Sequence, residues 1–432
     1  VTGVIHRDGY KVEKLIYESL SGYYVTAALF LPENLKGKAP AVIYASGHTS
    51  NGFRSDTYQH IIINLVKKGF IVLAFDPVGQ GERLQYYNQK EGKSRFGSTT
   101  EHSYPGAQCY ISGYSPTIYF IWDGIRSLDY LLTREEVDPH RIGMTGRSGG
   151  GTQTAYTAAL DDRILAAAPE CFITSMEYVL KSIGPQDAEQ NLIHMISEGL
   201  DHADLLEVRA PKPGLMITTT RDFFSIQGAR ETFAEVKQFY KVLNAGDQIG
   251  LVEDDDQHAS TKKNREAMYA FFQNYLDNPG SPDDLDVELI NEKDLWVTQS
   301  GQLATSLPSE TIYSLNRKKA ENQIARLKLK RAREDFDEHS KHTIREAKRL
   351  SGFSLPEFYG KAVFSGRYVS EDYVLEKYLI PGNGNYMLPA ALFRPPGEGN
   401  REVVLLLEEQ GMEQAAEKDS LLIYSMLKQG FS

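Results

Sequence analysis

Short, continuously apolar segments that alternate with amphipathic ones constrain this chain more than any other feature. Residues 39–45 (APAVIYA) and 70–75 (FIVLAF) have the length and composition of buried strands. Between them, Thr57–Lys68 has the apolar spacing of an amphipathic helix and is followed by Gly69, a typical C-terminal cap. Strands that are apolar on both faces are typical of parallel sheets covered by helices on both sides.

The same alternation continues as far as residue 276, and it predicts an α/β fold with a mostly parallel sheet. Residues 11–32 read as a hairpin that would add an antiparallel edge. The remaining predicted elements are strands at 163–168, 214–219 and 248–252 and helices at 119–132, 230–243 and 261–276. In such sheets the functional residues lie at the carboxyl ends of the strands.

One strand-to-helix turn carries a candidate nucleophile. Residues 141–151 read RIGMTGRSGGG, with a short apolar strand before Ser148 and a small-residue helix, 152–160, after it. A serine at the apex of such a turn needs glycine neighbours, and the following helix directs its N-terminus at the hydroxyl. The alternative is a phosphate-binding or purely structural glycine turn, but the Gly-Lys-Ser/Thr of a P-loop is missing here.

An acid and a base follow Ser148 in the order of an α/β-hydrolase triad. Asp222 comes just after the predicted strand at 214–219, and His258 comes just after the one at 248–252. Imidazole can take the serine proton near neutral pH, and a carboxylate fixes the tautomer of the imidazole. Taken singly, Asp222 could equally be a helix N-cap or turn acid, and an exposed loop histidine is the preferred interpretation of His258. Their joint placement nevertheless predicts the triad Ser148–His258–Asp222.

Other acids compete with Asp222 for the third position of the triad. Glu170 follows the predicted strand at 163–168, where some hydrolases place their acid. Asp254, Asp255 and Asp256 lie two to four residues before His258. We favour Asp222 because Ser148, Asp222 and His258 then follow one another in the order of the triad, each just past a predicted buried strand.

An oxyanion hole would need two N–H donors. The first expected donor is Gly149, the residue after the nucleophile. The second is expected from the loop after the strand at 39–45, at His48 or Thr49; alternatively, His48 only caps this loop. Residues 85–118 show no clear periodicity and are expected to be irregular, either as a pocket wall or as surface. The predicted substrate pocket further includes Arg147, Gln80 and Glu170.

Composition excludes several classes of function. The net charge of −11 argues against general binding of nucleic acid, and no apolar run is long enough to span a bilayer. No Cys/His/Asp cluster has metal-ligand spacing and no nucleotide fingerprint is present, so neither metal nor cofactor is expected. Two cysteines do not form a disulfide framework. A start at Val1 slightly favours a secreted or periplasmic protein over a cytoplasmic one.

Residues 10–280 resemble the acetyl xylan esterase and cephalosporin deacetylase group of the dienelactone-hydrolase-like α/β-hydrolases. The resemblance rests on Val78-Gly79-Gln80, on the turn 146–150 and on His258-Ala259. The group has Arg, Gln and Glu where this chain has Val78, Gly149 and Ala259. Residues 295–303 (LWVTQSGQL) also resemble the segment that follows the hydrolase domain in bacterial proteins of this group.

The resemblance implies a serine carboxylesterase that acts on small acyl esters, such as acetyl groups on plant polysaccharide or oligosaccharide. Two other functions remain open. A peptidase like prolyl oligopeptidase shares the triad order, although no propeller precedes residue 10 of this sequence. A non-catalytic carbohydrate-binding or scaffold protein could keep the same fold.

The chain is predicted to divide into a hydrolase domain (1–282), a helical connector (283–362) and the start of a degenerate second hydrolase-like domain (363–432). The last prediction rests on a repeat, because residues 376–395 match residues 13–32 without gaps at 8 of 20 positions. VVLLLEEQG at 403–411 then corresponds to the strand before the oxyanion loop, with Glu408-Glu409-Gln410-Gly411 in place of the Gly-His pair. Because no second elbow, acid or histidine follows, we expect the natural protein to be longer; the alternative is that residues 363–432 pack on the first domain as an edge.

Overall fold

A computed structural model describes residues 1–432 except 34, 183–186, 356–359, 398, 408 and 410, and it divides into two compact units, Val1–Lys328 and Leu329–Ser432. The strands of the first unit are β1 Gly3–Arg7, β2 Tyr10–Leu20, β3 Tyr23–Pro32, β4 Ala39–Ala45, β5 Ile71–Phe75, β6 Tyr87–Asn88, β7 Lys93–Ser94, β8 Val137–Arg147, β9 Ala166–Glu170, β10 Gly214–Thr219 and β11 Ile249–Asp254.

Nine of these strands form one sheet in the order β1-β2-β3-β5-β4-β8-β9-β10-β11. The pairs β1–β2, β2–β3 and β3–β5 are antiparallel, and every pair from β5 to β11 is parallel. The predicted α/β fold with an antiparallel edge is therefore confirmed. β4, β5, β9 and β10 are buried along their whole length, as their unbroken apolar runs predict.

Helices cover both faces of this sheet and give it two large apolar cores, one containing Ile62, Phe70 and Phe272 and the other Leu29, Leu128 and Met144. The helices that begin in the first unit are α1 Asp56–Lys67, α2 Ser98–Ile111, α3 Thr117–Leu132, α4 Gly149–Leu160, α5 Met176–Lys181, α6 His202–Glu207, α7 Ile226–Val242, α8 Lys262–Tyr275, α9 Leu303–Ser306 and α10 Ile312–Arg331.

One helix lies where the sequence predicts an irregular stretch. α2 occupies the middle of residues 85–118 although it contains Pro105 and Gly106 and has no clear amphipathic period. Its buried residues Glu101, His102 and Cys109 pack against the rest of the unit. Tertiary contacts therefore stabilise this helix where local propensity does not.

Residues 283–316, which we call the strap, pack along the first unit after α8. Residues 283–302 contain no helix or strand, and several apolar side chains of the strap lie in the cores of the unit. The buried apolar residues of the strap are Ile290, Leu295, Val297, Leu303 and Ile312. The sequence predicts a helical connector at 283–362, whereas the helices in that range cover only Leu303–Ser306, Ile312–Arg331 and Phe336–Ser351.

A buried charge network joins the strap to the site-bearing loops. Arg54 is fully buried, and its Nη1 lies 2.7 and 2.8 Å from the two carboxylate oxygens of Asp76. Arg54 also pairs with Glu82. Glu82 accepts hydrogen bonds from the backbone N–H groups of Val297 and Thr298 at 2.6 and 2.8 Å. The strap thereby holds the loop that follows β5.

The second unit contains an antiparallel sheet in the order β12-β13-β14. Its elements are β12 Val363–Val369, β13 Val374–Pro381, β14 Met387–Arg394, α11 Phe336–Ser351, α12 Met412–Lys418 and α13 Ser420–Lys428. β13 and β14 pair with Glu376 opposite Leu392, and β2 and β3 pair with Glu13 opposite Leu29. The two hairpins thus have the same register at the aligned positions.

The predicted strand at 403–411 stays a prediction. Residues 403–407 are not part of an assigned strand and their side chains are exposed, but the backbone N–H of Val404 donates to the Ser432 carbonyl oxygen at 2.9 Å and the Ser432 N–H donates to the Glu402 carbonyl oxygen at 2.9 Å. In the first unit the corresponding β4 lies between two parallel strands, β5 and β8, and the described residues of the second unit include no such pair of neighbouring strands. Glu408 and Gln410 of the predicted degenerate oxyanion loop lie outside the described residues.

Candidate active site

Ser148 occupies the sharp turn between β8 and α4. Its backbone has φ 60° and ψ −121°, a conformation that is strained for a residue with a Cβ atom. A Cβ at Gly146 or Gly150 would lie 2.1 or 2.0 Å from the Ala45 carbonyl oxygen, so only glycine allows β4 and the turn to approach this closely. The serine lies at the N-terminus of α4.

His258 and Asp222 form a hydrogen-bonded pair at the ends of β11 and β10. The imidazole Nδ1 lies 2.9 Å from each carboxylate oxygen of Asp222. The backbone N–H of Phe224 donates to Asp222 at 3.0 Å, and the ring of Phe223 stacks on His258 with centroids 4.3 Å apart. These contacts fix both the carboxylate and the plane of the imidazole.

The alternative acids are engaged elsewhere. Glu170 is buried and accepts a hydrogen bond from the Ser260 hydroxyl at 2.7 Å. Burial raises the pKa of Glu170 to about 7, against the opposing effects of Ser260 and Arg147. Asp255 binds Thr220 and Arg221 at the surface. Of these acids, Asp222 is the one whose carboxylate contacts His258.

Ser148 and His258 face one cavity of about 440 Å³. The cavity is open to solvent and mixes aromatic with charged side chains. Its lining residues are His48, Tyr58, Thr99, Arg147, Ser148, Asp187, Gln190, Phe223 and His258. Of the predicted pocket residues, Arg147 lies on this wall, whereas Gln80 and Glu170 are buried behind it.

Arg147 is held against the ring of Tyr58, with its guanidinium carbon 5.3 Å from the ring centroid. Its Nε is buried and has no hydrogen-bond partner in the described part of the chain. This guanidinium brings a positive charge to the cavity next to the serine.

The loop after β4 reaches the serine as the sequence predicts. A Cβ at Gly47 would lie 3.1 Å from the Cβ of Ser148. The backbone N–H of Thr49 donates to Gln80 Oε1 at 2.7 Å, so this N–H is already occupied. The imidazole of His48 lies over Gly149, where an added Cβ would be 2.9 Å from His48 Cε1.

Beside the serine, four side chains converge that sequence reasoning does not bring together. His48 Nε2 lies 2.8 Å from Asp187 Oδ2 and 3.1 Å from Glu189 Oε1. His102 Nδ1 lies 2.8 Å from Asp187 Oδ2 and 3.3 Å from Glu189 Oε2. His48 is half-buried and the other three are buried. The four residues come from three separate segments, and no spacing in the sequence signals them.

The carboxylates determine the charge state of this His48–His102–Asp187–Glu189 cluster. Burial lowers the pKa of His48, but Glu189 and Asp187 outweigh that effect and raise it to about 9. The pKa of Asp187 is held well below its usual range, because His102 and His48 overcome the effect of burial. The donor set, two imidazoles and two carboxylates, is also one that binds divalent metal ions.

Comparison with known proteins finds esterases and hydrolases that are similar to this chain. Residues 4–193 match the family model of Acetyl xylan esterase (AXE1). A Bacillus subtilis protein named "Putative hydrolase YtaP" is 25% identical over 284 residues, which cover 61% of this chain and 88% of that protein.

Solved structures show the same fold. The structure of Methylesterase BT1017 has a TM-score of 0.57 and 26% identity, covering 76% of this chain and 69% of its own. A "putative acetyl xylan esterase" from Bacteroides fragilis has a TM-score of 0.50 and 18% identity, covering 58% of this chain and 68% of its own. In the described part of the chain we find no helix with the length and apolar character needed to cross a bilayer. The chain has the α/β-hydrolase fold and is a carboxylic ester hydrolase.

Proposed function

We propose that the chain hydrolyses carbohydrate esters through the triad Ser148, His258 and Asp222. The observation that carries this proposal is the placement of a strained, cavity-facing serine opposite a histidine that is hydrogen-bonded to a buried carboxylate. Asp222 holds His258 with a proton on Nδ1, so that Nε2 has the free lone pair that a general base needs.

In the proposed reaction, His258 Nε2 takes the proton of Ser148 as the serine oxygen attacks the ester carbonyl. The resulting imidazolium is stabilised by Asp222. It then returns the proton to the departing alcohol, and an acyl-enzyme remains on the serine. Water repeats the sequence and releases the acid.

The negative charge on the carbonyl oxygen needs donors at the N-terminus of α4. We assign this role to the backbone N–H groups of Gly149 and His48. Thr49 is the weaker candidate, since its N–H already donates to Gln80. The dipole of α4 also favours charge at this end of the helix.

For the substrate we favour acetyl esters on a polysaccharide or oligosaccharide, supported by the match of residues 4–193 to the acetyl xylan esterase model. A second candidate is a methyl ester, as the name of the similar Methylesterase BT1017 suggests, and we take the ester of an acidic sugar as its form on a carbohydrate. Arg147 supports this candidate, because its guanidinium lines the cavity and could bind a neighbouring carboxylate.

The triad is tested by hydrolysis of p-nitrophenyl acetate. We expect Ser148→Ala and His258→Ala to lower kcat by at least about a thousandfold and Asp222→Asn by roughly a hundredfold to ten-thousandfold. Glu170→Gln is the matched control, and we expect a change of only a few fold. If Glu170→Gln lost as much activity as Asp222→Asn, the assignment of the acid would be wrong. If folded Ser148→Ala matched the unsubstituted protein, the whole proposal would fail.

The two substrate classes are separated by comparing acetylated xylo-oligosaccharides with methyl-esterified, partly acidic oligogalacturonates. Arg147→Gln should raise KM for the acidic substrate by about tenfold and leave KM for the neutral one nearly unchanged. If the acidic substrate were not hydrolysed at all, the acetyl ester reading would stand alone. An equal effect of Arg147→Gln on both substrates would contradict a role in binding carboxylate.

A further inference from the structure

We propose that His48, His102, Asp187 and Glu189 bind a divalent transition-metal ion of the zinc class beside the active site. Each residue offers one ligand atom, and the four atoms lie within 4.8 Å of one another. The closest atoms are His48 Nε2, His102 Nδ1, Asp187 Oδ2 and the Glu189 carboxylate oxygens. Zinc is held by imidazole nitrogens and carboxylate oxygens in this combination, in four-coordinate sites.

The spacing of the ligand atoms suits such an ion. His48 Nε2 and His102 Nδ1 lie 3.2 Å apart, and the four nitrogen–oxygen separations given above run from 2.8 to 3.3 Å. Tetrahedral ligands with bonds of about 2.0–2.1 Å lie roughly 3.3 Å from one another. Small side-chain adjustments would therefore place all four atoms around one ion.

The neighbours of His102 and Asp187 orient them as metal ligands usually are. His102 Nε2 donates to the Val78 carbonyl oxygen at 2.6 Å, which leaves Nδ1 with its lone pair toward the cluster in the neutral ring. Asp187 Oδ1 accepts hydrogen bonds from the Ser103 hydroxyl at 3.2 Å and the Ala188 N–H at 2.7 Å. Its other oxygen, Oδ2, is therefore directed at the histidines.

Glu189 gives independent support for a cation. Its Oε1 is buried and has no hydrogen-bond donor of good geometry among the residues that the structure describes, although it lies 3.1 Å from His48 Nε2. An unsatisfied carboxylate oxygen in a buried site is costly. A divalent ion would satisfy it and would balance the two negative charges of Asp187 and Glu189 while both imidazoles stay neutral.

The position of the site indicates its role. Four protein ligands leave no open coordination position, which is typical of structural rather than catalytic zinc. The ion would join three segments, namely the loop after β4, helix α2 and residues 187–190. It would thus fix His48, whose ring lies against Gly149. The alternative to a bound ion is a proton on each imidazole, so that two imidazolium groups balance the two carboxylates.

The test measures metal directly, in the full chain and without substrate. The protein is stripped with a chelator, loaded with Zn²⁺, desalted and analysed for metal and protein. We expect about one zinc per chain, and we expect Ser148→Ala to bind it equally well, so that this result is independent of the esterase proposal. A folded, zinc-treated chain that retains less than about a tenth of an equivalent would overturn the inference.

Variants then identify the ligands. Glu189→Gln and Asp187→Asn should each raise the Kd for zinc at least about tenfold. Glu170→Gln changes another buried glutamate that is not a ligand, and it should leave the Kd unchanged. Equal Kd values in all three variants would place zinc elsewhere and contradict the site. Should the cluster variants not fold, Co²⁺ bound to the unsubstituted chain decides: intense visible absorption indicates four-coordinate binding, and weak absorption contradicts it.

Discussion

At the scale of single residues, position 149 shows how the elbow and the histidine–carboxylate cluster depend on each other. The acetyl xylan esterase group that residues 10–280 resemble has glutamine at this position, and this chain has glycine. A Cβ here would lie 2.9 Å from His48 Cε1 and 3.4 Å from Glu189 Oε1. The glycine therefore makes room for His48, and the departure from the group's pattern has a steric cause.

The first prediction follows from that contact. Gly149→Gln should displace His48 and the loop after β4, and we expect kcat for p-nitrophenyl acetate to fall at least about tenfold, in the range of a lost oxyanion donor. Gly97→Gln is the control, because a Cβ at Gly97 meets no atom within 4 Å. Equal activity of the two variants would show that His48 does not need its present position.

The second prediction concerns the pH dependence of stability through Glu170. Its pKa is raised by burial to about 7 in the folded protein, above its ordinary value of 4.5. The folded state therefore holds a proton that the unfolded state has lost between about pH 4.5 and 7. Consequently, the contribution of Glu170 to the free energy of unfolding falls as pH rises through this window, by about 3 kcal/mol in all.

Glu170→Gln should remove this part of the pH dependence. This pH dependence is measured by urea unfolding at pH 5 and pH 8. The quantity compared is the difference in the free energy of unfolding between the two pH values. We expect the unsubstituted chain to lose more of its free energy of unfolding between pH 5 and pH 8 than the variant does. Parallel pH profiles would mean that Glu170 ionises normally in the folded state.

Residue patterns predict some of the site and miss the rest for a physical reason. Ser148, Asp222 and His258 each follow a strand that can be recognised locally, so the sheet itself brings their sequence positions together. The cluster of His48, His102, Asp187 and Glu189 forms because the loop after β4, helix α2 and residues 187–190 come together in the tertiary structure. Nothing in the residues around His102 signals that meeting, and even its helix, α2, lacks a regular apolar pattern.

At the scale of elements, the strap shows the same limit. Its composition predicts a connector, yet its apolar residues enter the cores of the first unit and its backbone binds Glu82. The strands of the sheet were easier to predict, because continuous apolar runs such as β4 and β5 depend on few distant contacts for their recognition. Segments stabilised by contacts far along the chain, like the strap and α2, require the tertiary structure.

The third prediction tests how strongly the strap is held. Glu82→Ala removes a partner of the buried Arg54 and the acceptor of two strap N–H groups. We expect the free energy of unfolding to fall by about 3–5 kcal/mol, as for other broken buried ion pairs. Glu292→Ala removes an exposed strap carboxylate and should change it by less than about 0.5 kcal/mol. Similar urea midpoints for the two variants would show that the buried network contributes little.

At the scale of the whole molecule, the repeat extends beyond the matched residues. β1 and β2 pair with Val4 opposite Glu13, and β12 and β13 pair with Arg367 opposite Glu376, which are the aligned positions. The three-stranded sheet of the second unit therefore has the register of the antiparallel edge of the first. A second hydrolase-like domain remains a prediction, since the described residues of the second unit include no parallel sheet.

The last prediction separates the contributions of the two regions that follow the sheet. Every residue assigned to the triad lies between positions 148 and 258, and the core clusters draw on residues up to Leu315. A chain of residues 1–334 keeps the strap and the whole of α10, so we expect it to unfold cooperatively and to retain esterase activity within a few fold. A chain of residues 1–282 loses all five buried apolar strap side chains, each contributing about 1.5–3 kcal/mol, and leaves Glu82 without its strap donors. Because this loss is comparable to the whole stability of a typical domain, we expect the shorter chain to be inactive and largely unfolded by circular dichroism. Activity in both chains would show that the strap is dispensable, and loss of activity in both would show that the first unit depends on residues beyond 334.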